Sequence, residues 1–267
     1  MGLLAGMCAM EYHQITRTAD RTRLAVQVRG TGPALLILPG QANNHHWWDR
    51  IRADFAEHHT TITFDYRGTG GSDLGAAPYT TQLFADDALA VLDSLDIDRF
   101  DAYGTSMGGR TAQWVAARAQ RRVGRLVLGC TTPGGTHAVE RDQAVRRALA
   151  SANATAFMTD LMYTPEWQEL NPGPYATLGD PRITPEARRR HLAASNGHDA
   201  WAVLPDIAAP TFILHGSDDR FAPVVNAEIL AGRIPKANTR IFDGARHAYF
   251  DECHPEAGPA VLDFLAR

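Results

Sequence analysis

The chain has 267 residues, 45% of them hydrophobic and 21% charged, with a formal net charge of −4. That length suits one large α/β domain with an insertion, and that composition excludes intrinsic disorder and fibrous repeats. Slight acidity, with no basic run beyond the RRR at 188–190, excludes a nucleic-acid partner, because a phosphate backbone requires an extended positive surface; those three arginines read as a solvated helix face.

The three cysteines, Cys8, Cys130 and Cys253, share no close spacing, which argues against both a disulfide framework and a zinc site and for a reducing compartment. The opening MGLLAGMCAM is apolar but short and lacks a basic n-region, so it is a poor signal peptide. No stretch reaches the roughly 20 apolar residues that span a bilayer. The expectation is a cytoplasmic protein without a membrane partner.

Along the chain, strands are expected at LAVQV (24–28), ALLIL (34–38) and TITF (61–64), followed by a helix over LFADDALAVLDSL (83–95), a strand at FDAY (100–103), a helix over MGGRTAQWVAARA (107–119) and a strand at RLVLG (125–129). Such alternation is the pattern of a mainly parallel sheet covered by helices. Between 133 and 210 no strand is apparent, but AVERDQAVRRALASA (138–152) and TPEARRRHLAAS (184–195) carry helical spacing. A connection of that length inside an α/β domain is usually functional, and it reads as a small helical cap. Prolines along it, Pro165, Pro172, Pro174, Pro181 and Pro185, break it into several short helices. Strands return at TFIL (211–214) and TRIF (239–242), and AGPAVLDFLAR closes the chain.

Between FDAY and the following helix stands Gly104-Thr105-Ser106-Met107-Gly108. In G-x-S-x-G the serine occupies a sharp strand-to-helix turn that lifts Oγ clear of the sheet, and side chains at the flanking glycines would collide with neighbouring backbone. Ser106 is therefore the candidate nucleophile. A serine hydroxyl needs a base, and the base needs a third group to hold its tautomer. Acids follow TFIL in HGSDDRFAP (215–223), and His247 follows TRIF in DGARHAYFDE (243–252), which is the Ser, Asp, His order expected of this arrangement.

Other groups have plainer readings. RGTGGSD (67–73) fails the dinucleotide pattern because Asp73 stands where glycine is required. The pairs His45-His46 and His58-His59 lack metal-ligand spacing and read as loop histidines, so no metal is expected. Lys236, the only lysine, stands outside any catalytic setting, which disfavours Schiff-base chemistry.

From LPGQANNHHWW after ALLIL, through DYRGTGGSD, GTSMG, the G-x-x-D-x-x-x-P stretch of 216–223 and GARH, the chain resembles the α/β-hydrolase superfamily. The likeness spans nearly the whole sequence. It implies an α/β-hydrolase fold with a core at 1–133 and 205–267 and a helical cap at 134–204, inserted after the sixth strand of that fold. It selects Asp219 over the neighbouring Asp218 as the acid and His247 over His254 as the base. It also implies an oxyanion site made by the backbone N–H groups of Met107 and Gln41, although proline (Pro39) replaces the histidine that often precedes this glycine. Trp47, Phe221, Tyr249 and Trp201 are the expected substrate contacts in a mostly apolar pocket.

Serine at 106 disfavours the aspartate-nucleophile branches of the superfamily. DYRGTGGSD, GTSMGG followed by QW, and the short cap are most similar to 3-oxoadipate enol-lactonase-like hydrolases. The implied activity is cofactor-independent cleavage of a small ester or lactone through an acyl-enzyme. Thioesterase, acyl-transfer or cyclising chemistry on the same residues, and a non-catalytic small-ligand receptor, stay open as alternatives.

Overall fold

The computed structural model describes residues 11–149 and 154–267. Its elements in chain order are β1 (Glu11–Arg17), β2 (Arg23–Arg29), β3 (Ala34–Leu38), α1 (Arg52–Ala56), β4 (Thr60–Phe64), α2 (Thr81–Ser94), β5 (Phe100–Thr105), α3 (Met107–Arg118) and β6 (Val123–Gly129). Then follow α4 (Gln143–Leu149), α5 (Ala154–Met162), α6 (Pro165–Leu170), α7 (Pro185–Asn196), β7 (Thr211–Gly216), α8 (Val225–Arg233), β8 (Ala237–Phe242), α9 (Tyr249–Glu252) and α10 (His254–Leu265). The opening segment with Cys8, and the end of the helix expected over 138–152, lie outside the described residues.

One eight-stranded sheet runs in the order β1-β2-β4-β3-β5-β6-β7-β8. β1 and β2 are antiparallel to their neighbours, and every pairing from β4 through β3 to β8 is parallel. Parallel strands need both faces covered, and the side-chain alternation of β3 shows how one strand serves two cores. Leu36 and Leu38 pack with Phe84, Ala112 and Val115 on the α2–α3 side, whereas Leu35 and Ile37 pack with Phe55, Val261 and Phe264 on the α1–α10 side. This is the α/β-hydrolase fold expected from the sequence.

The helices stop and start for local reasons. Thr80 caps α2 by accepting a hydrogen bond from Leu83 N, and Thr164 and Thr184 cap α6 and α7 in the same way, each followed by proline at the first helical position. The proline-rich stretch between β6 and β7 accordingly contains four α-helices of 6 to 12 residues among the described residues. The segment 138–142, expected to be helical, is not. Val139 N and O are both bonded to the Asn226 side chain on α8, which holds the backbone extended until α4 begins at Gln143.

β4 and β5 lie on opposite sides of β3, so the strand order reverses there, and the carboxyl ends of β3 and β5 flank the kind of crevice where open α/β sheets bind ligands. The loop leaving β4 is anchored by Arg67, 1% exposed, whose guanidinium is bidentate to Asp87 on α2 (both 2.7 Å) and also reaches Asp20 (2.6 Å). Removing one partner of such a buried pair strands the other charge, so the network fixes the loop rather than merely decorating it. Among the described residues, no helix is long and apolar enough to cross a membrane.

Candidate active site

Ser106 follows β5 directly and caps α3 with φ 56° and ψ −121°. A non-glycine residue at positive φ is strained, and neighbouring contacts hold it there: Ser106 N donates to Gly129 O (2.9 Å), and Thr131 Oγ1 and Arg110 N donate to Ser106 O (2.8 and 3.2 Å). The flanking glycines are obligatory by contact. A Cβ on Gly104 would lie 2.2 Å from Gly108 O, and one on Gly108 would lie 2.1 Å from Leu38 O. The turn therefore brings the start of α3 directly against the end of β3.

Gln41 follows β3 across that contact. Its loop is braced from two sides, with Asp65 Oδ1 accepting from His45 N (2.9 Å) and from its Nδ1 (2.7 Å), and with Gly179 N donating to Asn43 Oδ1 (2.9 Å) and Asp180 N to Ala42 O (2.8 Å). Neither Gln41 N nor Met107 N has a hydrogen-bond acceptor among the described residues. Gln41 lines the cavity that Ser106 borders, and Met107 follows Ser106 directly.

The acid and the histidine come from the ends of β7 and β8. Gly216 is needed because a Cβ there would meet Ala245 O at 2.2 Å; that close approach sets the 217–222 turn against the 245–248 loop. Asp219 Oδ1 accepts from Phe221 N and Ala222 N (2.8 Å each), and its Oδ2 accepts from His247 Nδ1 (2.7 Å). His215, fully buried, donates from Nε2 to Ala222 O (2.7 Å) and lies 3.2 Å from the same Oδ2. Burial pushes the Asp219 carboxyl up, but the charge on His247 and the hydrogen bonds from His215 and His247 outweigh it and hold the group well below the usual carboxylate range. An ionised Asp219 requires the proton of His247 on Nδ1, which leaves Nε2 as a base. Asp218 is exposed and takes a bond from Ser217 Oγ. His254 starts α10 and pairs with Asp54 (2.6 Å).

Ser106 and His247 line a common cavity of about 240 Å³, smaller than the about 300–1,000 Å³ typical of drug-sized sites. Gln41, Trp47 and Phe221 share its wall, with Met158 and Met162 from α5 and Leu192 from α7. Trp47 is fixed by its Nε1 donating to Thr105 Oγ1 (2.9 Å), and Phe221 lies against the His247 ring (4.9 Å). Cys130 also borders the cavity, but burial drives its thiol well above its ordinary pKa, so it stays protonated and unreactive.

Two expected substrate contacts are corrected. Tyr249 lies outside the cavity wall: fully buried, it stacks on Phe242 (5.2 Å) and its hydroxyl pairs with that of Tyr103 (3.0 Å) beneath the sheet ends. Trp201 is likewise outside, stacked on His137 (3.9 Å) with the Arg233 guanidinium 4.8 Å from its ring. In both cases a large ring near a site loop in sequence is taken by core or surface packing. Conversely, sequence reading passed over Arg110 and Arg141, which line the cavity, and read Arg188, a third lining arginine, only as part of a solvated helix face. Arg110 was within reach of inference, since four residues after Ser106 is the same face of α3.

The His247 loop is tied to α5 through Ala248 N donating to Met162 O (2.9 Å) and through Arg246 bonded to Asp160 Oδ1 (2.6 Å). Behind it, Tyr163 Oη donates to Asp251 Oδ2 (2.7 Å), while Asp251 Oδ1 has no partner among the described residues. Burial raises Asp251 to about 6, against a partial offset from Tyr163. A carboxyl with a raised native pKa contributes stability that is complete below the unfolded value and is lost as pH climbs through the native one. The loss across pH 4 to 7 is at most about 3 kcal/mol. Asp251→Asn removes this titration. Its melting temperature relative to the parent should therefore rise between pH 4.5 and 7.5; a difference that stays constant with pH would refute the assignment.

Comparison with known proteins accords with this architecture. The family model for the alpha/beta hydrolase fold matches residues 33–252, and the chain belongs to that family. It is 30% identical over 269 residues to a 2-hydroxy-6-oxononadienedioate/2-hydroxy-6-oxononatrienedioate hydrolase of Cupriavidus pinatubonensis, covering 94% of this chain and 89% of that one. It is 26% identical over 222 residues to 3-oxoadipate enol-lactonase 2 of Acinetobacter baylyi, covering 80% and 81%. Among solved structures, the enol-lactonase from Burkholderia xenovorans superposes with a TM-score of 0.81 at 24% identity, over 95% of this chain and all (100%) of that one, a likeness of fold.

Proposed function

We propose that this protein is a cofactor-independent serine hydrolase that cleaves a small carboxylic ester or lactone through an acyl-enzyme on Ser106. The observation that carries this reading is the joint placement of Ser106 and His247 on one small cavity, with His247 Nδ1 held 2.7 Å from a buried Asp219. Ser106 Oγ attacks the carbonyl carbon and its proton passes to His247 Nε2. Asp219 keeps the imidazole in that tautomer and balances its charge. The N–H groups of Met107 and Gln41 hold the oxyanion, a contribution of about 3–4 kcal/mol per donor in comparable sites. Collapse expels the alcohol, or opens the lactone, with the proton returned from Nε2, and water then repeats the sequence to free the acid.

The segment 134–204 serves as a cap that supplies the apolar wall from α5 and α7. Relatives named for lactone hydrolysis and for cleavage of oxo-dioates support a small, oxygen-rich substrate. A reducing cytoplasm suits the free thiols of Cys130 and Cys253.

The direct test is covalent trapping. After brief reaction with 4-nitrophenyl acetate and acid quenching, peptide mass analysis should find one acetyl group, on Ser106. Ester turnover with no adduct at Ser106, or with the label on Cys130, would overturn the assignment.

A further inference from the structure

Three guanidinium groups line a cavity whose wall contains no acidic residue among the described residues: Arg110 on α3, 8% exposed, Arg141 on the loop before α4, and Arg188 on α7. Arg188 is exposed, and the first two form the more buried pair. Arg110 stands one helical turn past Ser106. Its Nη1 donates to Ser195 O (2.6 Å) and Ser195 Oγ (2.9 Å) on α7, and its Nε–Nη2 edge has no protein acceptor among the described residues. Arg141 makes no ion pair there either. Its guanidinium lies 4.2 Å from the Phe221 ring, which in turn lies against His247, while the neighbouring Glu140 is taken by Arg146 (2.8 Å).

A buried cation without a counter-ion is costly, and two that face one cavity repel each other. Burial and the charge of Arg141 together lower Arg110 to about 10. Purely structural arginines tying α3 to α7 would need only the Ser195 contacts, and would leave the open edge of Arg110 unexplained and the charge of Arg141 met only by the Phe221 ring. An anion between them resolves both. The planar Nε–Nη2 fork of a guanidinium matches a carboxylate in bidentate geometry.

We propose that this arginine pair is a carboxylate subsite, so that the substrate is a small ester or lactone whose acyl part carries a free acid group. The proposal rests on the serine-hydrolase reading above. The acyl part is the one that stays on Ser106 after the first step, and a guanidinium one turn along the same helix can hold its carboxylate through both halves of the reaction. A charge-assisted pair of this kind is worth about ten- to a hundredfold in binding.

The test compares 4-nitrophenyl hydrogen glutarate with its methyl-capped diester, two substrates of nearly equal size that differ by one charge. The parent should favour the free acid by at least about tenfold in kcat/KM, mainly through KM. Arg110→Gln and Arg141→Gln should each reduce that preference about ten- to a hundredfold. The Arg141 guanidinium makes no hydrogen bond among the described residues, so its variant stays informative even if Arg110→Gln disturbs α7. A parent that prefers the neutral diester, or a preference unchanged in both variants, overturns the subsite.

Calorimetry of monomethyl glutarate and dimethyl glutarate on the Ser106→Ala protein separates this proposal from the hydrolase reading. Tighter binding of the monomethyl ester, weakened by Arg141→Gln, upholds the subsite even if no ester is cleaved. Equal or absent binding of the two removes the subsite even if simple esters are cleaved well. Displacement by inorganic phosphate at concentrations below those at which monomethyl glutarate binds would overturn the choice of a carboxylate.

Discussion

Ser106→Ala is expected to lower kcat/KM for 4-nitrophenyl acetate by at least about a thousandfold while leaving the melting temperature unchanged or slightly raised. The first part follows from the chemistry: alanine retains the cavity, the amide donors and His247 but has no atom that forms the acyl bond. The second follows from the contacts. Every hydrogen bond that fixes residue 106 runs through its backbone, to Gly129 O, Thr131 Oγ1 and Arg110 N, and its Oγ has no partner among the described residues. The cost of φ 56° arises from Cβ, which alanine shares. A hydroxyl kept free in a tight turn serves reaction rather than stability, so activity and stability should separate cleanly. A variant that loses activity and thermal stability in parallel would instead mark Ser106 as a structural hydroxyl, and residual activity within tenfold of the parent would remove it as nucleophile.

The elements that the sequence made legible are those whose burial follows local periodicity. β2 to β7 are largely apolar runs because both faces of the sheet are covered there, the edge strand β8 is exposed or half-buried except at Phe242 and shows only through its closing Ile241 and Phe242, and each stands within two residues of its expected bounds. β1 was missed for a physical reason. In EYHQITR the outward Ile15 is 46% exposed while Thr16 is buried, so an edge strand with only β2 beside it carries an inverted pattern that no apolar count detects. Thr16 Oγ1 is satisfied by Ser94 Oγ (2.6 Å), a partner 78 residues away.

Site residues divide in the same way. Ser106, Asp219 and His247 were readable because backbone collisions demand glycine at fixed offsets around the first two and leave a motif behind. Substrate contacts leave no such trace. Trp47 and Tyr249 look alike from sequence, each aromatic and beside a site loop, yet one borders the cavity and the other underlies it. Which of the two occurs is decided by packing between α1, α10 and the sheet, and that is a tertiary property. The long proline-rich insertion was recognisable by its length and by its lack of strands. The turn of chain that carries Arg141 was not, because the side chain of Asn226, far along the sequence, replaces the helical partners of Val139.

Asp219→Asn should reduce kcat/KM by about ten-thousandfold with the fold retained, because the substitution changes which nitrogen of His247 holds the proton. The amide has one acceptor and one donor end, and the surroundings dictate their order. Phe221 N and Ala222 N both point at Oδ1 (2.8 Å), so the asparagine carbonyl must stay there. Its NH2 then occupies the place of Oδ2, where it donates to His247 Nδ1 and drives the imidazole proton to Nε2. A base that already carries its proton cannot take one from Ser106. The same NH2 faces the Nε2–H of His215, which retains only Ala222 O as its acceptor.

Stability should respond with a defined sign. Asp219 has its pKa depressed in the folded state, so its contribution is present above the unfolded value of about 4 and is lost as pH falls through the native one. The melting-temperature gap between parent and Asp219→Asn should therefore be widest near neutrality and close on acidification, opposite to the trend expected for Asp251→Asn. Asp218→Asn is the control. It should leave turnover within a few fold of the parent, since its carboxylate is exposed and, among the described residues, takes a hydrogen bond only from Ser217. An inactive Asp218→Asn beside an active Asp219→Asn would transfer the acid's role to the neighbouring residue, and the tautomer argument built on the 2.7 Å bond to His247 would fall with it.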